Sequence, residues 1–407
     1  MTASLLLIDA RVVDARGVVA EGVDIHIDGP LITSIGDTDR PPANTVVDVA
    51  GRTVCPGLMN AHVHVCFDGT ADPEPAFQRE GDVEAAIRSL PRLAETLARG
   101  VTTVRDLGGK EQVTVMLARL VGDGLVTGPR ILAAGRVVTM TGGHGHWMGI
   151  EVDGADEARK ATRRMIDAGA RVIKVMATAG MMTAGQRAGD PQLSVAEMAA
   201  CVDEAHQAGL SVAAHVEGRE GAANAIEAGV DSIEHGHGLD DALLEQMARD
   251  GVVLVPTIAC DRAITRLGPT AGIPKFIVDD CARLAPSLEW ALRRAIELGV
   301  TIAAGNDGGA PLTHPGDIVD ELEVYVELGM TPVQALASAT IHTAKLFGLA
   351  DSGLVEVGHR ADLQIVSGDP LSSVSALRRP DMVIAGGRKF EAGHISSLIN
   401  FDPRGAR

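Results

Sequence analysis

The stretch Thr53-Val54-Cys55-Pro56-Gly57-Leu58-Met59-Asn60-Ala61-His62-Val63-His64 is an apolar run closed by two histidines one residue apart. In a β-strand, side chains at i and i+2 point to the same face. Both imidazoles are therefore expected to leave one strand together. Imidazole is the commonest metal ligand, so the pair is suited to hold one ion. A bare His-x-His is more often a surface feature. What changes its meaning is recurrence: several later apolar segments also end on a His, Lys or Asp.

Working outward, eight short apolar strands are predicted at Cys55–Val65, Thr102–Leu107, Arg130–Ala134, Val172–Met176, Ser211–Val216, Ser232–His235, Val252–Ile258 and Thr301–Asn306. Helical-period stretches lie between most of them, for example Val83–Ala98, Ala155–Ala168, Val195–Ala208 and Ile277–Leu298. Several of these helices end at a glycine just before the next strand, such as Gly169, Gly229 and Gly299; this is the expected cap residue. The repeated units predict an α/β fold, a (β/α)8 TIM barrel. A doubly wound sheet is the alternative, although no Gly-x-Gly-x-x-Gly follows the first strand. Outside this region the pattern is short strands and turns: Ser4–Ile8, Val12–Val13, Asp24–Ile27, Leu31–Ile35 and Val46–Asp48, then Asp362–Val366 and Asp381–Ile384. Chain termini are often close in space. Residues 1–56 and 355–407 are thus expected to form one discontinuous β-sandwich domain around a barrel of residues 57–354.

Composition narrows the function. The chain has 407 residues and a formal net charge of -18, which repels polyanions. Aromatic residues make up 2%, too few for base-stacking platforms, so nucleic acid is not an expected partner. No apolar stretch is long enough to span a bilayer, and the N-terminus lacks a basic signal region. No membrane partner and a cytoplasmic location are therefore expected. Cys55, Cys66, Cys201, Cys260 and Cys281 are odd in number and lack Cys-x-x-Cys spacing. They read as buried hydrophobes in a reducing compartment. The expected partners are a small-molecule substrate and further copies of the chain in a homo-oligomer.

Barrel enzymes place chemistry at the C-terminal ends of their strands. Those ends carry His62, His64, Lys174, His215, His235 and Asp307. Lys174 has two readings, a metal ligand after modification or a Schiff-base lysine; the surrounding histidines and aspartate favour the metal. The loop after the third strand holds His144, His146 and Trp147, with His144 a candidate oxyanion donor. Arg187 and Arg219 lie in later loops and could clamp a substrate carboxylate. His237 is expected to face solvent, His314 could reach the pocket, and His26, His359 and His394 fall in sandwich segments.

The motifs carry a family resemblance. They are Pro56-Gly57-Leu58-Met59-Asn60-Ala61-His62-Val63-His64, Gly100-Val101-Thr102-Thr103-Val104-Arg105-Asp106, Val172-Ile173-Lys174, Ala214-His215, Ile233-Glu234-His235-Gly236 and Gly305-Asn306-Asp307. The chain resembles the amidohydrolase superfamily over essentially its whole length. Thr141-Gly142-Gly143-His144-Gly145 and Lys174-Val175-Met176-Ala177-Thr178-Ala179-Gly180 are similar to its imidazolonepropionase-like peptidase group, which includes prolidase-like dipeptidases and ochratoxin-type amidases. The resemblance implies two divalent metal ions, zinc by ligand type. His62, His64 and Asp307 would hold one, His215 and His235 the other, and Lys174 would bridge them as a CO2-derived carbamate. It further implies hydrolysis of an amide-type C–N bond by a metal-bridging hydroxide, with Asp307 moving the proton; from their place in the loops beyond the strand ends, His144, Trp147, Arg187 and Arg219 are the expected substrate contacts. Ring-opening amidohydrolase or deaminase chemistry, or lactonase and phosphotriesterase chemistry, are the alternatives. A catalytically dead scaffold is disfavoured, because all six positions are intact. One departure stands out: prolidase-like relatives carry an aromatic after the strand-5 histidine, whereas this chain has Val216-Glu217-Gly218, and its only tyrosine is Tyr325.

Overall fold

The computed structural model describes residues 4–36, 43–110 and 112–390. The chain opens with β1 (Ser4–Asp14), β2 (Gly17–Asp28), β3 (Leu31–Ile35), β4 (Thr45–Asp48) and β5 (Thr53–Pro56). One strand runs through the two expected at Ser4–Ile8 and Val12–Val13. Asp9 takes a left-handed conformation (φ 59°), and the β1–β2 register shifts around it, so the ladder absorbs the polar interruption. Next come β6 (Leu58–Val63), β7 (Val101–Asp106), β8 (Arg130–Ala133), β9 (Val137–Met140), β10 (Gly149–Val152), β11 (Val172–Met176), β12 (Ser211–Val216), β13 (Ser232–His235) and β14 (Val253–Val255). The chain returns through β15 (Leu363–Val366), β16 (Met382–Ala385) and β17 (Arg388–Phe390).

Strands from both chain ends share one mixed sheet, ordered β17-β16-β15-β5-β1-β2-β3, with β4 also paired to β1. The strands of both chain ends are thus hydrogen-bonded in a single sheet. The reason is the length of β1: its first half pairs β4 and its second half pairs β5. Leu7, Ile25 and Val54 pack with Leu363, Ile365 and Ile384 in one apolar cluster drawn from both ends. The last part of the expected sandwich segment, residues 391–407 with His394, lies outside the described residues.

The expected first strand, Cys55–Val65, is divided at Gly57. β5 joins the terminal sheet through β15, while β6 pairs β7 in parallel. Gly57 is required there, since a Cβ would sit 2.3 Å from the Thr102 side chain.

The parallel strands form two groups, β6-β7-β8 and β10-β9-β11-β12-β13-β14. Backbone contacts link their edges. Arg171 N–H donates to Ala133 O, Ile302 bridges Leu254, Ala61 N–H donates to Ala304 O, and Gly308 bridges Val63. Thr301–Asn306 is not a regular strand, because the Ala304 N–H turns away to Ser338 O. Helices follow the strands and bury one face. Val195–Gln207 begins with a Ser194–Glu197 capping box and buries Met198, Cys201, Val202 and Ala205, the helical spacing. Its neighbour Ala155–Ala168 ends at Gly169 in the left-handed region (φ 99°), as the sequence predicts.

Candidate metal centre

The strand ends deliver their side chains to one cavity. Lys174 sits within β11, His215 within β12, and His235 closes β13. His62 lies near the end of β6, and His64 and Asp307 follow their segments. All six line the same cavity, with His144, Trp147, Glu217 and Asp261.

Two donor groups are present among the described residues. His62, His64 and Asp307 form one; Asp307 Oδ1 lies 3.4 Å from both Nε2 atoms. His215, Glu217 and His235 form the other, with His215 Nε2 3.6 Å from Glu217 Oε1. The His62 and His235 rings, 5.0 Å apart, join the groups. Lys174 Nζ, His215 Nε2, Glu217 Oε2 and Asp307 Oδ1 are buried without a hydrogen-bond partner. Such orphans are costly singly and rare in clusters. Four of them around one cavity, on nitrogen and oxygen donors, fit divalent cations.

The far side of three of these imidazoles is held. His62 Nδ1 meets Glu234 Oε2 at 2.9 Å, and Glu234 Oε1 accepts from Arg105 Nη2 at 2.7 Å. His64 Nδ1 pairs with Gly108 O at 2.8 Å, and His235 Nδ1 with Thr257 Oγ1 at 2.8 Å. Outer partners of this kind orient ligating rings and tune their basicity. His235, Thr257 and Asp307 all have positive φ (66°, 56° and 52°), a conformation that costs on the order of 1–3 kcal/mol for a non-glycine residue and collects at functional sites. At His235 the consequence is visible. Strict alternation would put Glu234 and His235 on opposite faces, yet both reach His62.

Electrostatics follow from burial. Burial lowers Lys174 to about 8. Burial and Lys174 lower His62 to about 4 and His144 to about 3, and burial holds His215 and His235 well below the usual imidazole range. These four imidazoles are therefore neutral, the form that ligates metal, whereas at His64 the Asp307 carboxylate outweighs burial and raises the ring. Burial would raise Asp307, but His62, His64 and His235 outweigh it and keep the carboxylate ionised. Burial, with Asp261 nearby, pushes Glu217 well up.

His144 is in the cavity. Its ring stacks on His215 at 4.4 Å and its Nδ1 pairs with Thr183 Oγ1 at 2.9 Å. Gly180 makes room for it: a Cβ there would lie 2.4 Å from the ring. Trp147 packs against Phe67 and Phe77 along the wall. The two arginines are not brought to the site. Arg187 is exposed, and Arg219 is exposed and paired with Asp240 at 2.6 Å, so neither lines the cavity. His237, expected to face solvent, is buried and bonds Asp261 Oδ2 at 2.9 Å, because Gly236 and Gly238 turn the chain inward. His314 pairs with Glu95 at 3.2 Å away from the cavity.

Sequence reasoning passed over Arg105, Glu217, Glu234, Thr257 and Asp261. For Arg105 and Glu234 a signal existed: opposite charges inside otherwise apolar strands demand a buried partner. Asp261 had none, since a lone acid in an amphipathic helix reads as solvated.

An α/β protein with histidines, a lysine and an aspartate converging from its strand ends defines a class of candidate metal-centre proteins. The chain belongs to the amidohydrolase family, whose model matches residues 53–389. Ochratoxinase of Aspergillus niger is 29% identical over 425 residues, covering 95% of this chain and 83% of that protein. The structure of a prolidase complexed with N-methylphosphonate-L-proline is similar at TM-score 0.89 and 31% identity, covering 96% of this chain and 100% of that one. A Xaa-Pro dipeptidase with methionine bound in its active site gives TM-score 0.88 and 32% identity, with the same coverage. These neighbours imply a TIM-barrel type fold. No helix among the described residues is long and apolar enough to cross a membrane.

Proposed function

We propose that this chain is a metal-dependent hydrolase that cleaves an amide-type C–N bond in a dipeptide, an N-acyl amino acid or a related small amide. The observation that carries the reading is the meeting of the orphaned Lys174 Nζ, His215 Nε2 and Asp307 Oδ1 in one cavity. Similarity to a prolidase, a dipeptidase and an ochratoxinase supports the bond class. The reading includes a closed (β/α)8 barrel over residues 57–354, supported by the backbone contacts that join the strand groups. A second unit of residues 1–56 and 355–407 is supported by the shared terminal sheet.

His62, His64 and Asp307 would hold one divalent cation, and His215 and His235 a second, with zinc matching the donors. Lys174 would serve both as a carbamate: an ammonium has no lone pair to offer a cation, whereas a pKa of about 8 leaves a fraction of neutral amine that can add CO2 and release a proton. When bound, the cations supply Lewis acidity and bring a water's pKa to about 7. Asp307, ionised and unpartnered at Oδ1, takes the proton of the attacking water and passes it to the leaving nitrogen. His144, neutral and braced by Thr183, donates to the carbonyl oxygen as it gains charge. Five buried, unpaired cysteines support a reducing, cytoplasmic location.

The test is metal per chain by mass spectrometry on protein purified without chelator, with a panel of dipeptides and N-acyl amino acids. The expected result is a ratio near two and amide turnover; Lys174→Ala should lower the ratio and lose turnover. Full activity after metal removal would refute the reading, and double occupancy in Lys174→Ala would refute the carbamate.

A further inference from the structure

We propose that Glu217 and Asp261 select a substrate carrying a fixed positive charge, a guanidinium or ammonium on an aliphatic stem. The inference rests on the reading of the cavity as an amide-hydrolysing site and assigns its substrate class.

Glu217 lies just beyond the end of β12 and is 7% exposed, with its Oε2 unpartnered. Its backbone is pinned from two sides. Its N–H donates to Thr178 Oγ1 at 2.9 Å, and its carbonyl lies so close to Gly189 that a Cβ there would come within 2.7 Å of the oxygen. Asp261, on the helix Ile258–Ala271, is also 7% exposed and is oriented by His237. Two buried carboxyls in one cavity cannot both be ionised unless a cation sits beside them. Among the described residues, the lining offers none beyond Lys174 and the histidines, which the proposed metal centre already uses, and no arginine lines the cavity.

The wall beside them suits a stem. Met181, Cys260, Ile264, Ile277 and Cys281 form one apolar cluster that also lines the cavity. Long cationic side chains lay their methylenes along such surfaces and keep the charged head on polar groups. A guanidinium would give each carboxylate a charge-assisted hydrogen bond, of a strength that discriminates about tenfold to a hundredfold against a neutral isostere. The competing role for Glu217 is a third ligand in the His215–His235 group. That role leaves both Asp261 and the apolar wall without a purpose.

The experiment compares N-acetyl-L-arginine with N-acetyl-L-citrulline, and Ala-Arg with Ala-citrulline, on the metal-loaded protein. Citrulline keeps the shape and removes the charge. Wild type should prefer arginine by about tenfold or more in kcat/KM, and by a similar factor in calorimetric affinity. Glu217→Gln and Asp261→Asn should each bring that ratio toward one with metal per chain unchanged. Equal treatment of arginine and citrulline by wild type overturns the proposal. So does a Glu217→Gln protein that loses a metal ion yet keeps the preference, which makes Glu217 a ligand. If nothing is hydrolysed but the arginine compounds bind preferentially and lose that preference in both variants, the cation site stands and the hydrolase reading fails.

Discussion

Replacing Arg105 by methionine tests how the first donor group is held. Arg105 is fully buried, and it donates from Nε to Ala61 O at 2.7 Å, from Nη1 to Ser232 Oγ at 3.0 Å and from Nη2 to Glu234 Oε1 at 2.7 Å. Glu234 is likewise fully buried, and its other oxygen holds His62. Methionine fills much of the volume but strands the Glu234 carboxylate. Removing one partner of a buried pair costs about 3–5 kcal/mol, mostly the penalty of the uncompensated charge. His62 then loses an ionised outer partner, which weakens metal binding about 10–100-fold. Urea unfolding of metal-free protein measures the first effect without interference from the second, and a competitive chelator titration measures the metal affinity. A double variant, Arg105→Met with Glu234→Leu, should recover most of the stability while metal binding stays weak, since apolar replacement of a whole buried pair is close to neutral. An Arg105→Met protein within about 1 kcal/mol of wild type, a small fraction of the penalty expected for a stranded charge, would refute the reasoning. Undiminished metal affinity would separately remove the orienting role of Glu234.

Three further outcomes are expected. Asp307→Asn should lower kcat by about 10²–10⁴-fold while the second donor group still binds metal, read by turnover and metal content together; near-normal kcat removes Asp307 from proton transfer. Gly180→Ala puts a methyl 2.4–2.7 Å from three His144 ring atoms, so the ring must move; a shift of this size should cost about 10²-fold in kcat at unchanged metal content, and an unaltered kcat would mean that His144 does not touch the reaction. Burial raises Glu321 from 4.5 to about 8, despite its bonds from the Ile258 and Ala259 amides. The folded chain thus keeps a proton that the unfolded chain has lost, so this group stabilises fully below about pH 4.5 and loses its contribution as the pH rises toward 8. Glu321→Gln should flatten the urea midpoint over that window, and an unchanged slope would contradict the assignment.

Local physics made much of this molecule legible in the amino-acid order. The i, i+2 spacing of His62 and His64, the helix-ending glycines and the change of apolar period at each strand are all short-range signals. They sufficed to propose the alternating elements and to single out the six strand-end residues that meet in one cavity. Other features were beyond their reach. Thr53–Val63 reads as one apolar run, and only the partners on either side of Gly57 send β5 to one sheet and β6 to another. His235 reaches the cavity through a left-handed backbone that alternation does not foresee. Arg105 finds Glu234 across 129 residues of chain, and Glu217 shares a wall with Asp261 from a different element. The physical reason is common to these cases. Periodicity and capping are settled among neighbours a few residues apart, whereas the partner of a buried charge is settled by strand register and helix packing between segments the sequence keeps far apart.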